Sequence, residues 1–247
     1  MPNPTAAMLV IGDEILSGRT RDANMHHLAG ELTAHGIDLR EVRVVSDDHP
    51  AIVAAVQALS GPFDHLFTSG GIGPTHDDIT ADAVAEAMGA PIGIRDDARA
   101  LLEDHYARSG TELNAARLRM ARIPEGAVLI DNPISAAPGF SLGNVHVMAG
   151  VPAIFQAMVA SLLPGLTGGL PLLSRTLRVE RPEGEVAEIL GRIAAEHPDL
   201  SFGSYPFIQN SLYGTNVVVR GTEAAALDAA LAALDAGLGG GSSDGAA

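Results

Sequence analysis

The densest run of chemically capable residues is Thr68-Ser-Gly-Gly-Ile-Gly-Pro-Thr-His-Asp-Asp-Ile-Thr80. Gly70, Gly71 and Gly73 permit left-handed dihedrals and a close approach of the backbone to a ligand. A helix beginning just beyond them would add free N–H groups and a positive dipole end. Together these make a cradle for a phosphate or diphosphate. No lysine follows, which excludes a Walker loop. His76 stands where the dinucleotide fingerprint has its last glycine. Asp77, Asp78 and Thr80 can each cap the helix, but one helix start does not need three caps, so a carboxylate is left for other work.

Three further segments carry usable groups. Gly12-Asp-Glu-Ile-Leu-Ser-Gly18 sets two carboxylates between glycines directly after an apolar run. Such a pair can face a metal–phosphate site, or can be solvated acids in a plain turn. In Ser46-Asp47-Asp48, one acid is explained by capping a helix that opens at Pro50. Asn132-Pro-Ile-Ser-Ala-Ala-Pro-Gly-Phe140 and Met148-Ala-Gly-Val-Pro152 are turn-forming, and their small residues leave room for a flat ring or a sugar. Gly139-Phe-Ser-Leu-Gly143 matches a hydrolase elbow by letters only, because a strand rather than a helix follows Ser141. The nine histidines show no metal spacing, and His76, beside two acids in the cradle, is the one to watch.

The elements that must position these groups alternate. Ala7 to Ile11, Val42 to Val45, His65 to Thr68, Val128 to Ile130 and Val145 to Met148 read as strands. Helical stripes run through Met25, Leu28 and Leu32, through Ile52, Val56 and Leu59, from about Thr80 to Met88, around Leu101 to Tyr106, from Leu113 to Arg122 and from Ala153 to Leu163. That alternation predicts a mostly parallel sheet with helices on both faces, a three-layer α/β (αβα) fold over residues 1–168, with ligands at the carboxyl ends of the strands. Past the breaker-rich stretch from Pro164 to Pro171 the order becomes βαββα, a small α+β domain over 172–236. Residues 237–247 read as a disordered tail.

Composition limits the chemistry. There is no cysteine, and all fifteen basic residues are arginine. Thiol nucleophiles, disulfides, cysteine metal sites and lysine Schiff bases are excluded. A formal net charge of −15 argues against nucleic acid or an anionic membrane as partner. Arginines and acids number ten and twenty up to residue 169, and five and ten beyond it. The apolar helix near Ile154 to Leu166 is broken by Pro164 and is too short to span a bilayer, and no targeting segment is visible, so a cytoplasmic protein is expected.

Gly12 to Gly18, Asp22-Ala-Asn24, Ser69 to Thr80, Ala137-Pro-Gly-Phe140 and Gly150-Val-Pro152 resemble, in order, the amino-terminal domain of the CinA (competence/damage-inducible protein A) family, within the molybdopterin-binding superfamily of MoaB, MogA and gephyrin type. The resemblance runs from residue 6 to about 166. Gly184-Glu185 and Gly203-Ser-Tyr-Pro206 resemble the KH-like domain that follows in this family. That part shows no G-x-x-G loop and is acidic, so RNA binding is not expected. Family members often continue into an amidohydrolase domain, whose activity is not expected of this sequence.

The resemblance implies Mg²⁺- or Mn²⁺-dependent hydrolysis of a nucleotide diphosphate such as ADP-ribose. Molybdopterin binding with adenylyl transfer, and non-catalytic binding of a nucleotide or pterin, are the alternatives. It implies Asp78 and Asp47 as catalytic acids. Gly70, Gly71, Gly73, Thr75, Asp22, Asn24, Pro138 and Gly139 are the expected ligand contacts, and Asp13, Glu14 and Asp78 the expected metal ligands. It also implies a homodimer or homotrimer. Two departures touch the ligand rim: Asn132-Pro-Ile-Ser-Ala lacks the glycine usual before Ala-Pro-Gly-Phe, and Met148-Ala replaces the more usual Leu-Pro.

Overall fold

The strand β1 (Thr5–Ile11) is buried from its second residue to its last, which is why its sequence is a continuous apolar run rather than an alternating one. The structure, a computed structural model, describes residues 2–209 and 212–239. The chain divides into two units, Met1–Gly169 and Leu170–Ala247.

In the first unit β1 is followed by α1 (Asp13–Leu16), α2 (Asn24–His35), β2 (Asp38–Val45), α3 (His49–Ser60), β3 (His65–Ser69) and α4 (Thr80–Ala87). Then come β4 (Ile92–Ile94), α5 (Asp96–Ser109), α6 (Ala115–Leu118), β5 (Arg122–Pro124), β6 (Val128–Ile130), β7 (Gly139–Leu142), β8 (Val145–Met148) and α7 (Pro152–Leu162). The main sheet has the order β2-β1-β3-β8-β7-β6. The first four strands are parallel, and β7 and β6 are antiparallel.

Alternate residues of β1 enter different cores. Ala7, Leu9 and Ile11 pack with Ile52, Val56 and Leu59 of α3 and with Val84 of α4. Ala6, Met8 and Val10 pack with Leu28 and Leu32 of α2 and with Phe155 and Met158 of α7. Helices therefore cover both faces, and the three-layer αβα fold stands. The chain leaves β1 for β2 over one face and returns past β1 to β3 over the other. That reversal opens a crevice at the carboxyl ends of β1 and β3.

Three expectations need correction. The stretch from Leu113 to Arg122 is not one helix. Asn114 caps the short α6 by accepting from the Arg117 N–H (3.0 Å), a 3₁₀ turn Arg119–Ala121 follows, and β5 pairs antiparallel with β4 because Pro124 cannot continue a helix. β7 is an additional strand, joined to β8 by the tight turn Gly143-Asn144, where Gly143 has φ +59°. Met25 faces solvent, and the buried polar Asn24 takes the inward place at the start of α2.

The second unit is βαββα: β9 (Leu173–Val179), α8 (Glu183–Glu196), β10 (Ser201–Gln209), β11 (Leu212–Gly221) and α9 (Ala224–Leu238). Its antiparallel sheet, β10-β11-β9, packs Leu177, Val179, Val217 and Val219 against Val186 and Ile193 of α8 and Leu227 and Leu234 of α9. Gly237 and Leu238, expected in a disordered tail, belong to α9, which ends at Gly239 with φ +78°. The rest of that stretch lies outside the described residues. No helix among the described residues is long and apolar enough to cross a membrane.

Candidate functional site

The turn after β1 and the turn after β2 are tied together. The Gly12 N–H donates to the Val45 carbonyl (3.1 Å), and the Asp13 N–H donates to Asp47 Oδ2 (2.9 Å). Asp48, not Asp47, caps α3 by accepting from the Ala51 N–H (3.0 Å). Asp47 is thereby free to face the crevice. Burial pushes its carboxyl above the ordinary value. The Asp13 N–H opposes that shift, and the carboxylates of Asp13, Glu14 and Asp77 push it further up. Residues far apart in the chain thus meet electrostatically at one point.

The glycine turn after β3 is shaped by close approach. Gly70 has φ +111°, and a Cβ there would lie 2.2 Å from the Ile11 carbonyl oxygen. Gly71 has φ +69°, and a Cβ would lie 2.1 Å from Thr80 Oγ1. Only glycine fits either position. Gly71 O accepts from the Thr80 N–H (3.0 Å), which folds the turn back onto the start of α4.

The expected capping does not occur. Ile79 holds the N-cap position of α4 and makes no side-chain cap bond. Asp78, half-buried, instead closes its own turn by accepting from the Thr75 N–H (2.7 Å) and hydroxyl (2.5 Å). Asp77 is exposed, and His76 points into solvent with its ring 3.7 Å from Asp77.

Glu14, Asp47, Asp77 and Asp78, the run Gly70 to Gly73, and an apolar wall that includes Ile11, Ile72, Met120, Val151 and Ile154 line one cleft of about 510 Å³. Asp22 and Asn24 line a small recess at its side. Asp22 accepts from the Met25 N–H (2.9 Å), which starts α2. Asn24 Nδ2 donates to Ser69 Oγ (2.7 Å) and to the Gly150 carbonyl (2.8 Å), joining three turns of the site. Its Oδ1 is buried without a hydrogen-bond partner.

Other expected residues have different surroundings. Thr75 is exposed and serves Asp78. Pro138 lines a second small recess, next to Gly71 and Gly73. Gly139 is buried, and a Cβ there would lie 2.4 Å from the Val147 carbonyl oxygen, so it is required by strand packing. Among the described residues no three acidic or histidine side chains are close enough to hold a metal ion by themselves. Asp13, Glu14 and Asp78 are therefore not a ready-made chelate. Mg²⁺ needs no such set, since it commonly takes one or two carboxylates and completes its shell with phosphate and water. Ser141 lies within β7 with its hydroxyl 2.8 Å from His146 Nδ1, away from any strand–turn–helix elbow.

The sequence did not show what Asn132 does within its singled-out loop, and it did not mark two arginines near the glycine turn. Asn132 holds its loop together: its Oδ1 accepts from the N–H groups of Ile134 (3.1 Å) and Ser135 (3.2 Å), and its Nδ2 donates to Ser135 Oγ (2.7 Å) and the Ala137 carbonyl (2.8 Å). Arg119 and Arg122 reach the glycine turn across a long stretch of chain. Arg122 pairs with Asp82, while Arg119 donates to the Asp78 carbonyl (3.3 Å). The Asn-Pro pair offered a weak turn signal for the first. Nothing local marks the arginines.

Residues 7–168 match the family described as "Probable molybdopterin binding domain", and residues 171–245 match "FAD synthase, middle domain". A CinA-like protein of Desulfosudis oleivorans is 36% identical over 209 residues, covering 80% of this chain and 51% of the relative. A "Probable FAD synthase" of Caenorhabditis elegans is 30% identical over 255 residues, covering 93% of this chain and 49% of the relative. The chain spans about half the length of these two relatives. The crystal structure of the protein CinA, of unknown function, from Thermoplasma acidophilum superposes with a TM-score of 0.60 at 34% identity, covering 65% of this chain and 98% of that one. The glycine turn and acids described above lie inside the matched span, and the chain belongs to the molybdopterin-binding-domain family, among its CinA-like members.

Proposed function

We propose that the first unit hydrolyses a nucleotide diphosphate of the ADP-ribose kind with the help of Mg²⁺ or Mn²⁺. The observation that carries this reading is the convergence of Asp13, Glu14 and Asp77 on the raised carboxyl of Asp47, opposite a backbone cradle in the same cleft. The turn binds phosphate through the N–H groups of Gly71, Ile72 and Gly73, that of Gly70 being given to the Met148 carbonyl (3.1 Å). Asp47, made more basic by its surroundings, accepts a proton from the attacking water. The water oxygen bonds to one phosphorus, the P–O bond to the bridging oxygen breaks, and AMP and ribose 5-phosphate result. Asp78 orients the ligand from the other side of the turn. A bound cation, shared by Asp13, Glu14 and Asp78 with the diphosphate, would neutralise the substrate and lower the pKa of water. The FAD synthase name of one relative agrees with a nucleotide ligand.

Release of AMP from ADP-ribose, followed with Mg²⁺, Mn²⁺ and EDTA, tests this. Turnover that needs the metal and falls at least tenfold in Asp47→Asn is expected, consistent with loss of a general base. No turnover with either metal would overturn hydrolysis, and tight binding without turnover would leave a binding protein. A second reading, molybdopterin binding with adenylyl transfer, draws on the family description and on the apolar wall, which suits a flat ring. Pterin fluorescence in the purified protein would favour it.

A further inference from the structure

We infer that Arg119 binds the second phosphate of the ligand and makes the site selective for diphosphates over monophosphates. The inference rests on the reading that a phosphate lies on the glycine turn. Arg119 stands in the 3₁₀ turn Arg119–Ala121, which the buried Ala121 and the bond from the Arg95 N–H to the Ala121 carbonyl (3.0 Å) hold in place. Its Nη2 donates to the Asp78 carbonyl at 3.3 Å, which sets the guanidinium beside the turn. The recess that it lines also contains Gly71, Gly73 and Pro138.

The charge there is available. Among the described residues Arg119 has no ion pair, whereas Arg122, in the same recess, is neutralised by Asp82. The Asp78 side chain accepts from Thr75, and among the described residues it makes no ion pair with Arg119. Six other arginines of the first unit are paired with acids: Arg40, Arg43, Arg95, Arg99, Arg108 and Arg122. The cleft itself is lined by four carboxylates, and no lysine exists to offset them. A guanidinium that spends one donor on a long bond to a backbone carbonyl keeps others for a phosphate, in the planar fork that suits it. Backbone N–H groups can serve one phosphate. A second phosphate beside the turn, where Arg119 stands and Asp78 adds negative charge, needs a cation.

The test is calorimetric titration with inorganic pyrophosphate and inorganic phosphate in EDTA, and with ADP-ribose in Mg²⁺. Wild type, Arg119→Ala and Arg119→Lys are compared, with Arg99→Ala as a surface-charge control. Arg119 is exposed, so the variants should fold, which a thermal melt checks. If Arg119→Ala does not fold, Arg119→Gln, which keeps the stem, replaces it.

Wild type should prefer pyrophosphate to phosphate. Arg119→Ala should weaken pyrophosphate binding roughly tenfold or more and erase that preference, while phosphate binding changes little. Arg119→Lys should retain part of the preference, and Arg99→Ala all of it. Equal loss for both anions, no loss in Arg119→Ala, or no pyrophosphate binding by wild type overturns the inference. If the pyrophosphate pattern holds but ADP-ribose does not bind, the nucleotide reading falls and the role of Arg119 stands.

Discussion

The main sheet disfavours charge at both of its ends, but with different surroundings. At the amino ends of β3 and β8, His65 and His146 face each other, with Nδ1 of the first 3.1 Å from Nε2 of the second, and Ser141 Oγ lies 2.8 Å from His146 Nδ1. Burial lowers His146 to about 4, with the neighbouring His65 adding to the shift, and burial lowers His65 too. At the carboxyl end of the sheet, in the turn after β2, burial and three neighbouring acids raise Asp47. Both environments disfavour charge. The histidine end is closed over His146, which is buried with a partner for each ring nitrogen, while His65 is half-buried beside a surface groove. The acidic end opens onto a cleft, where a cation or a ligand can meet its charge. A shifted group at the closed end bears on stability, and one at the open end bears on function.

Asp78→Asn divides the two ends most sharply. It keeps the side-chain shape and one acceptor for Thr75, so the thermal midpoint should move by only a few degrees. Turnover of ADP-ribose should fall by roughly a thousandfold, from loss of the carboxylate that orients ligand and cation. Activity near that of wild type would reduce Asp78 to a turn former.

Gly70→Ala strikes the floor of the open end. The added Cβ meets the Ile11 carbonyl oxygen at 2.2 Å while φ is +111°, so both steric and conformational costs apply. A loss of roughly 3 kcal/mol or more in urea unfolding is expected. A loss below about 1 kcal/mol would show that the turn can relax.

The closed end is read by pH. His146 takes up a proton near 6.5 when unfolded but only near 4 when folded. Between those values the unfolded state binds more protons, so stability falls as pH drops from about 6.5 toward 4, by roughly 3 kcal/mol from this group. Above 6.5 its contribution is flat. Denaturant unfolding at pH 7 and at pH 4.5 should show a smaller loss in His146→Gln than in wild type. Equal losses would show that protonated His146 is tolerated where it lies.

These contrasts were unequally visible in the sequence. β1 and β3 could be read because each is a buried run followed by glycine, β2 because its end carries the valines Val42, Val44 and Val45, and the glycine turn announces itself by composition. The choice between Asp47 and Asp48 could not be made, since either can cap α3 and only the bond from the Asp13 N–H decides it. β4 and β5, three residues each, are too short to show a period. Arg119 reaches Asp78 from 41 positions away, through pairing that no local pattern encodes. The expected KH-like character of the second domain rested on short motifs. The observed βαββα order fits such a domain without requiring it, and the match there is to a FAD synthase middle domain.

The smallest effect lies on the rim of the open end, where the expected glycine is missing. Ala136 has φ +60°, the one positive value among the described non-glycine residues. Asn132 enforces it: its carbonyl accepts from the Ala136 N–H (3.0 Å) while its side chain binds Ser135 and Ala137 on either side. An alanine held there carries a steric cost of roughly 1–2 kcal/mol that glycine does not, although glycine loses more freedom on folding. Ala136→Gly should therefore stabilise the protein by about 0.5–1 kcal/mol. The loop lines the cleft through Asn132, Ser135 and Ala137, so ligand affinity reports on it as well. If relief of strain lets the loop keep its shape, affinity is unchanged while urea unfolding shifts upward. Destabilisation would mean that the methyl group packs well enough to outweigh the strain, and weaker ligand binding at unchanged stability would mean that the strained residue fixes the shape of the rim.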